Sequence, residues 1–405
     1  MKTLKIIVIS TIVLVMTAGL CGCTTFDNFK AAFIDKNQDS GREVIIGVLE
    51  PVTGSESKNA EDEIRGIQLA NSVHPNAGDY RVSLVFSDNK SDIDATETAA
   101  QTLIAKEPAI ILGSYGSVYS LSASPFIRDA KIPAISITNT NPLVTRNNEY
   151  YYRVCYVDSN QGDLLGRYVV EGKKEEKAGV LLPEGDDAAQ AMAAAFGRQL
   201  RSETDNDDAI AFYEQYKTGQ KDFTKELNRI NKAGVKSILL PGEYADAANI
   251  ITQAAKLNMD VEFLGDTTWS DGSFRKLLGD NVTSEDYSFV QFFSSEGELT
   301  SQAITKEREL FLSAYQKEYG KGSEPSDAMA LGYDAYVIAA DAIGRTTGKP
   351  DAKKVAAVLA DPGYQIEGAT GLINFNSIGD PIKTAYITKW KNGKTETVYT
   401  LEAQE

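Results

Sequence analysis

From residue 44 onward, short apolar runs alternate with longer amphipathic segments. Residues 44–49 are unbroken enough to be a strand buried on both faces, and 61–73 place Ile64 and Ile67 on one side of a helix. The pattern then predicts a strand at 82–86, a helix at 94–106, a strand at 109–112, a helix at 118–130 and a strand at 133–137. A second series follows, with strands at 179–182, 209–213, 237–240 and 261–264. Helices at 187–201, 223–233 and 245–257 separate them. Strand-helix alternation builds parallel sheets covered by helices on both faces, so the expected fold class is α/β with two doubly wound parallel-sheet lobes. The last third breaks the rhythm. Helical patterns at 303–319, 326–343 and 353–359 are followed by antiparallel strands at 372–375, 385–390 and 397–401, with Asn392-Gly393 as a hairpin turn.

The first residues set the compartment. Two lysines within residues 1–5 precede an uncharged run at 6–20 that is short for a membrane span. The stretch ends Leu20-Cys21-Gly22-Cys23, which resembles the lipobox of bacterial lipoproteins. That resemblance implies a signal peptide at 1–22, cleavage before Cys23, and a diacylglycerol on the Cys23 thiol. An uncleaved signal anchor, the alternative, also leaves the globular part outside the cytoplasm. Residues 23–42 read as a tether, in which Phe26, Phe29 and Phe33 can form one amphipathic helical turn.

Removal of the leader leaves Cys155 as the only thiol in the body of the protein, so stability must come from the apolar core. Acidic residues outnumber basic ones by 57 to 41, which disfavours a nucleic-acid partner. His74 is the single histidine, excluding a histidine-rich metal site and a Ser-His-Asp set and reading as an exposed structural residue. Neither a nucleophile elbow nor a phosphate-binding glycine loop is present. Residues 205–208 read as a solvated acidic loop, and Cys155 as a buried, inert thiol. No enzyme, metal or cofactor is expected.

Several short motifs, in order, resemble the leucine/isoleucine/valine-binding protein family. They are residues 46–54, Ile-Gly-Val-Leu-Glu-Pro-Val-Thr-Gly, with Gly66 and Ala70 on the next helix; Asp88; and residues 111–117, Ile-Leu-Gly-Ser-Tyr-Gly-Ser. Residues 132–136 and Thr140-Asn141-Pro142 follow, then Arg153, Asp158, Gln161 and Gly162, and finally residues 331–335 and 368–380. The resemblance implies a type I periplasmic-binding fold with three crossings between lobes, near 153–158, 291–296 and 369–375. Residues 43–155 and 295–368 are then lobe one, and 156–294 and 369–405 lobe two. It also implies an extracytoplasmic solute-binding lipoprotein, monomeric and membrane-anchored, that delivers an amino acid or similar small zwitterion to an ABC permease. A ligand-sensing receptor component of the same fold, a binder of another small solute such as an amide, and a hydrolase are the alternatives.

Ligands of open parallel sheets bind beyond the carboxyl ends of the strands, here the loops after residues 49, 112, 137, 182, 240 and 264. Ser117 stands where a strand gives way to a helix whose free N–H groups suit an anion. Thr140 follows the next strand. By residue type alone both fit ordinary capping and turn roles equally well. The resemblance assigns both to a ligand carboxylate, Thr138 through its carbonyl to an ammonium, and an acidic residue after the last strand of lobe two. Asp266 is that residue when the alignment rests on Gly265, and Thr267 takes its place when it rests on Trp269. Tyr115, Gly116, Asn59, Glu243 and Tyr244 are expected to line the rest. The family often has a tyrosine in the loop after residue 182, where this chain has Glu184-Gly185-Asp186-Asp187-Ala188. Together with Glu243, that weighs against a branched apolar ligand side chain.

Overall fold

The computed structural model describes residues 42–402, apart from 271, 296–298 and 302. The expected signal peptide, Cys23 and most of the tether lie outside the described residues.

The first large sheet has the order β2-β3-β1-β4-β5-β6. It comprises β1 (Glu43–Glu50), β2 (Asn76–Ala77), β3 (Tyr80–Asp88), β4 (Ile110–Gly113), β5 (Ala134–Ser136) and β6 (Tyr151–Arg153). All pairs are parallel except β2 with β3. β1 is almost wholly buried, as its unbroken apolar run requires of a strand covered on both faces. The chain leaves β1 for β3 on one side and reaches β4 on the other, so a topological switch point opens at the carboxyl ends of β1 and β4.

The second sheet has the order β16-β15-β11-β10-β9-β7-β8. Its parallel part is β7 (Ala178–Pro183), β8 (Ile210–Tyr216), β9 (Ser237–Leu239), β10 (Glu262–Gly265) and β11 (Tyr287–Gln291). Between the sheets lies a small antiparallel one of β12 (Gln365–Gly368), β13 (Gly371–Phe375) and β14 (Pro381–Lys383). β15 (Ala385–Lys391) and β16 (Lys394–Leu401) complete the second sheet as an antiparallel hairpin. Asn392 and Gly393 both take positive φ at its turn (52° and 90°), as a two-residue hairpin of this twist demands.

Helix starts follow local chemistry. Asp92 accepts from Ala95 N, Asp186 from Ala189 N and Asp351 from Lys354 N, each at 2.8–2.9 Å. The nearly all-buried helix Asp327–Gly344 packs on Ser57–Val73 so closely that a Cβ on Gly66 would sit 2.2 Å from the Met329 carbonyl oxygen. A Cβ on Gly332 would sit 2.4 Å from that of Glu63.

The chain passes between the large sheets after β6, after β11 and through the small sheet. One helix clamps the last two passages. Asp327 accepts from Phe292 N and Phe293 N at 2.9 and 3.1 Å, and Asp334 from Ala369 N and Thr370 N at 2.5 and 3.2 Å. A second network ties the first passage to the third through buried Arg153, whose Nε lies 2.6 Å from Asp380 Oδ1. Buried Lys383 donates to Val154 O at 3.1 Å, and burial pulls its ammonium down to about 8 against the charges of Asp334 and Asp327. Cys155 is fully buried beside this network, and burial pushes its thiol up to about 12. His74 is half-buried rather than exposed, with Nε2 2.6 Å from Glu307 Oε1.

Candidate functional site

A cavity of about 780 Å³ opens where the carboxyl ends of the two sheets face each other. The first sheet contributes Tyr115, Gly116 and Ser117 after β4, Thr138–Thr140 after β5, and Lys58, Asn59 and Asp62 from the helix after β1. Thr267, Thr268 and Ser270 come from the tight turn after β10, and Trp390 and Thr395 from the β15–β16 hairpin. Gln291 and Phe292, at the second passage, and residues 324–328 close the cavity.

Ser117 opens the helix Ser117–Ala130 behind Gly116, whose φ of 85° turns the chain sharply out of the β4 loop. The first N–H groups of such a helix have no partner within it and carry its positive end. Behind them, Tyr115 N–H donates to Glu50 Oε2 at 2.8 Å, and the Thr138 hydroxyl donates to Glu63 Oε1. Glu50 and Glu63 are both fully buried. Burial, with Glu63 as the first charged neighbour, holds Glu50 well above the usual carboxylate range, and burial raises Glu63 to about 7. A hydrogen bond between the two carboxyls adds to that effect on Glu50, since a like charge beside a buried acid disfavours its ionised form. The loop carrying Thr138 and Thr140 is held rigid. Arg153 Nη1 donates to Asn139 O at 2.7 Å and Nη2 to Asn141 O at 3.0 Å. Asn139 Nδ2 donates to Ser114 O and Ser120 Oγ at 2.9 and 2.7 Å.

Of the residues expected from sequence, the structure brings Asn59, Tyr115, Gly116, Ser117, Thr138, Thr140 and Thr267 together in this lining. Asp266, Glu243 and Tyr244 lie outside it. Asp266 turns Oδ1 back onto its own loop, where Thr268 N donates to it at 2.8 Å. Its carboxyl is raised by burial, with Asp186 and Glu243 adding negative charge. Asp158, at the first passage, is raised to about 6 by burial and next by Asp266, while a hydrogen bond from Thr140 and the Arg153 charge oppose both. The carboxyl ends of the second sheet are therefore an acidic face. Among the described residues no group of three or more His, Cys, Asp or Glu could hold a metal ion. Sequence reasoning missed Asp62, Gln291, Asp327 and Trp390. Gln291 was within reach, since it ends a strand at the same edge as Gly265. Nothing local marks Trp390, which arrives by the fold of the hairpin.

A profile of proteins described as periplasmic binding protein matches residues 43–395. A Leu/Ile/Val-binding protein homolog of Brucella abortus is 23% identical over 388 residues, spanning 93% of this chain and 96% of its own. Among solved structures, a leucine binding protein from Thermotoga maritima is 26% identical with a TM-score of 0.68, covering 89% of this chain and 99% of its own. The branched-chain amino acid transporter substrate binding protein of Streptococcus pneumoniae, solved with isoleucine, is 24% identical with a TM-score of 0.67. It covers 89% of this chain and 100% of its own.

Proposed function

This chain belongs to the periplasmic binding protein family, and from that premise we propose that it is an extracytoplasmic, lipid-anchored protein that captures an amino acid in the cleft and delivers it to an ABC permease. The observation that carries this reading is the contrast between the donor-rich wall of the cleft and the acidic loops that follow the strands of the second sheet. The start of a 14-residue helix at Ser117 lies in one wall with Thr138 and Thr140, while Asp266 follows the last parallel strand but one of the second sheet, just outside the lining beside Thr267. A carboxylate meets donors on the first side and an ammonium meets carboxylates on the second. A small zwitterion loses water from both charged ends on entering, and only a site that pairs both makes that loss tolerable. The Thermotoga maritima relative is a leucine binding protein, which is consistent with such a ligand. Among the described residues no helix is long and apolar enough to cross a membrane. Attachment through Cys23 is the anchor we propose, on the lipobox-like Leu20-Cys21-Gly22-Cys23. The closing units we propose are residues 43–155 with 295–368, and 156–294 with 369–405.

Ser117, Thr140, Tyr115 and Gly116 take the carboxylate side in this reading, and Thr138 offers its carbonyl to the ammonium. Asp266, supported by Glu243, meets the ammonium once the cleft has closed, and Asn59, Tyr244 and Thr267 complete the pocket. Isothermal titration across the amino acids tests it. Asp266→Asn weakens binding by roughly 3 kcal/mol, the scale of breaking a desolvated charge pair. Ser117→Ala costs about 1 kcal/mol, because the backbone amides remain. An N-acetylated ligand fails to bind. Normal binding by Asp266→Asn with loss in Thr267→Val moves the ammonium partner one residue along. If both variants and the N-acetylated ligand bind normally, the cargo is not an amino acid.

A further inference from the structure

The cavity divides chemically. Around Ser117 it offers donors, whereas its far end, at the second passage between sheets, offers acceptors. Asp62, Glu324 and Asp327 line it, and Lys58 is the single cation among the described lining residues. Asp62 Oδ2 accepts the Ser326 hydroxyl at 2.6 Å, Glu324 pairs with Lys394 at 2.9 Å, and Asp327 accepts two backbone N–H groups. Gln291 is only 7% exposed, and its Oε1 has no hydrogen-bond partner. The same is true of Asn139 Oδ1, in a residue 2% exposed, which lines the cavity as well. A buried carboxamide oxygen left unsatisfied is costly, and that cost disappears when a ligand supplies an N–H. Asp327 lies beside Gln291, whose oxygen is the unpaired atom. Phe292 and Trp390 provide apolar surface in the same lining for the stem of a long side chain. A branched apolar side chain would leave the Gln291 oxygen unpaired.

Resting on the reading of the cleft as an amino-acid site, we propose that the bound amino acid has a side chain ending in N–H donors, and that Gln291 and Asp327 select it. Ammonium, guanidinium and carboxamide ends share this chemistry.

Titration calorimetry on the purified protein decides the matter, using arginine, lysine, glutamine and asparagine against leucine, valine and norleucine. The expected result is heat with the nitrogen-bearing set and none with the alkyl set. Gln291→Leu should then weaken the nitrogen-bearing ligand roughly 10-fold, the scale of one unsatisfied polar group, and leave norleucine unchanged or tighter. Gln291→Glu should tighten lysine and arginine but not glutamine, which separates cationic from amide cargo. Asp327→Asn should weaken the same ligands. Because Asp327 also holds the second passage, Gln291→Leu is the decisive variant, with its unliganded melting curve as the folding control. Tight leucine or norleucine binding that Ser117→Ala and N-acetylation weaken would overturn this inference while leaving the amino-acid reading intact. Nitrogen-bearing ligands that bind Gln291→Leu as well as the parent overturn it too. Binding of a simple carboxylic acid, with no amino acid bound, overturns the reading beneath it.

Discussion

Replacing Arg153 with methionine removes the buried guanidinium that joins the first passage to Asp380 on the third. Its side chain is fully buried, Asp380 is 6% exposed, and their closest atoms are 2.6 Å apart. The Nε–Oδ1 approach is poorly aligned for a hydrogen bond, so this contact acts mainly through charge. The directional bonds are those to Asn139 O, Asn141 O and the Thr145 hydroxyl, which in turn donates to Asp380 Oδ1 at 2.9 Å. Arg153→Met leaves Asp380 buried with Thr145 as its remaining side-chain partner. Stranding one member of a buried ion pair costs about 3–5 kcal/mol. With an unfolding entropy of about 2.1 cal/mol/K per residue over roughly 360 residues, the melting temperature should fall by about 4–7 °C. Asp380→Leu should cost a similar amount. The double variant, however, should cost less than the sum by about 2 kcal/mol or more, because neither charge is then left alone. Calorimetric scans of the four proteins give the cycle. Additivity within about 0.5 kcal/mol, or a drop under 1 °C for Arg153→Met, would refute the view that these residues act as one clamp.

Three further outcomes follow from the same observations. The Glu63 carboxyl is raised from 4.5 to about 7, so between those pH values the fold keeps a proton that the unfolded chain has lost. Stability from this group must therefore fall as pH rises through that window, and the melting-temperature advantage of Glu63→Gln should grow from pH 5 to pH 8; a constant difference contradicts it. Small-angle scattering should show a smaller radius of gyration with a confirmed ligand than without, and identical profiles count against hinge closure unless the free protein is already shut. Cys23→Ser should move the mature protein from the membrane to the soluble extracytoplasmic fraction, whereas unchanged retention points to an uncleaved anchor.

What one chain segment can encode was readable without the fold. Unbroken apolar runs predicted β1, β4 and β7 because a strand covered on both faces needs apolar residues throughout. The Asn392-Gly393 turn was readable because few residues accept two successive positive φ angles. Ser117 and Thr140 were in view because carboxyl ends of parallel strands are where loops meet ligands. Other features were settled only by contacts between distant segments. The helix Asp158–Arg167 contains Gly162 and Gly166, which lower helix propensity, and it escaped the pattern. Its reason is tertiary, since a Cβ at Gly162 would sit 2.2 Å from the Met192 carbonyl oxygen on the neighbouring helix. Residues 115–117, 267, 291 and 390 meet in one cavity because three passages bring the carboxyl ends of two sheets face to face, and no local periodicity carries that pairing. The same holds for Asp266. Its residue type suits an ammonium, but the direction of its carboxylate depends on Thr268 and on the acidic residues that other strands deliver beside it. Local sequence sets what a segment can be, and long-range packing sets which side chains meet.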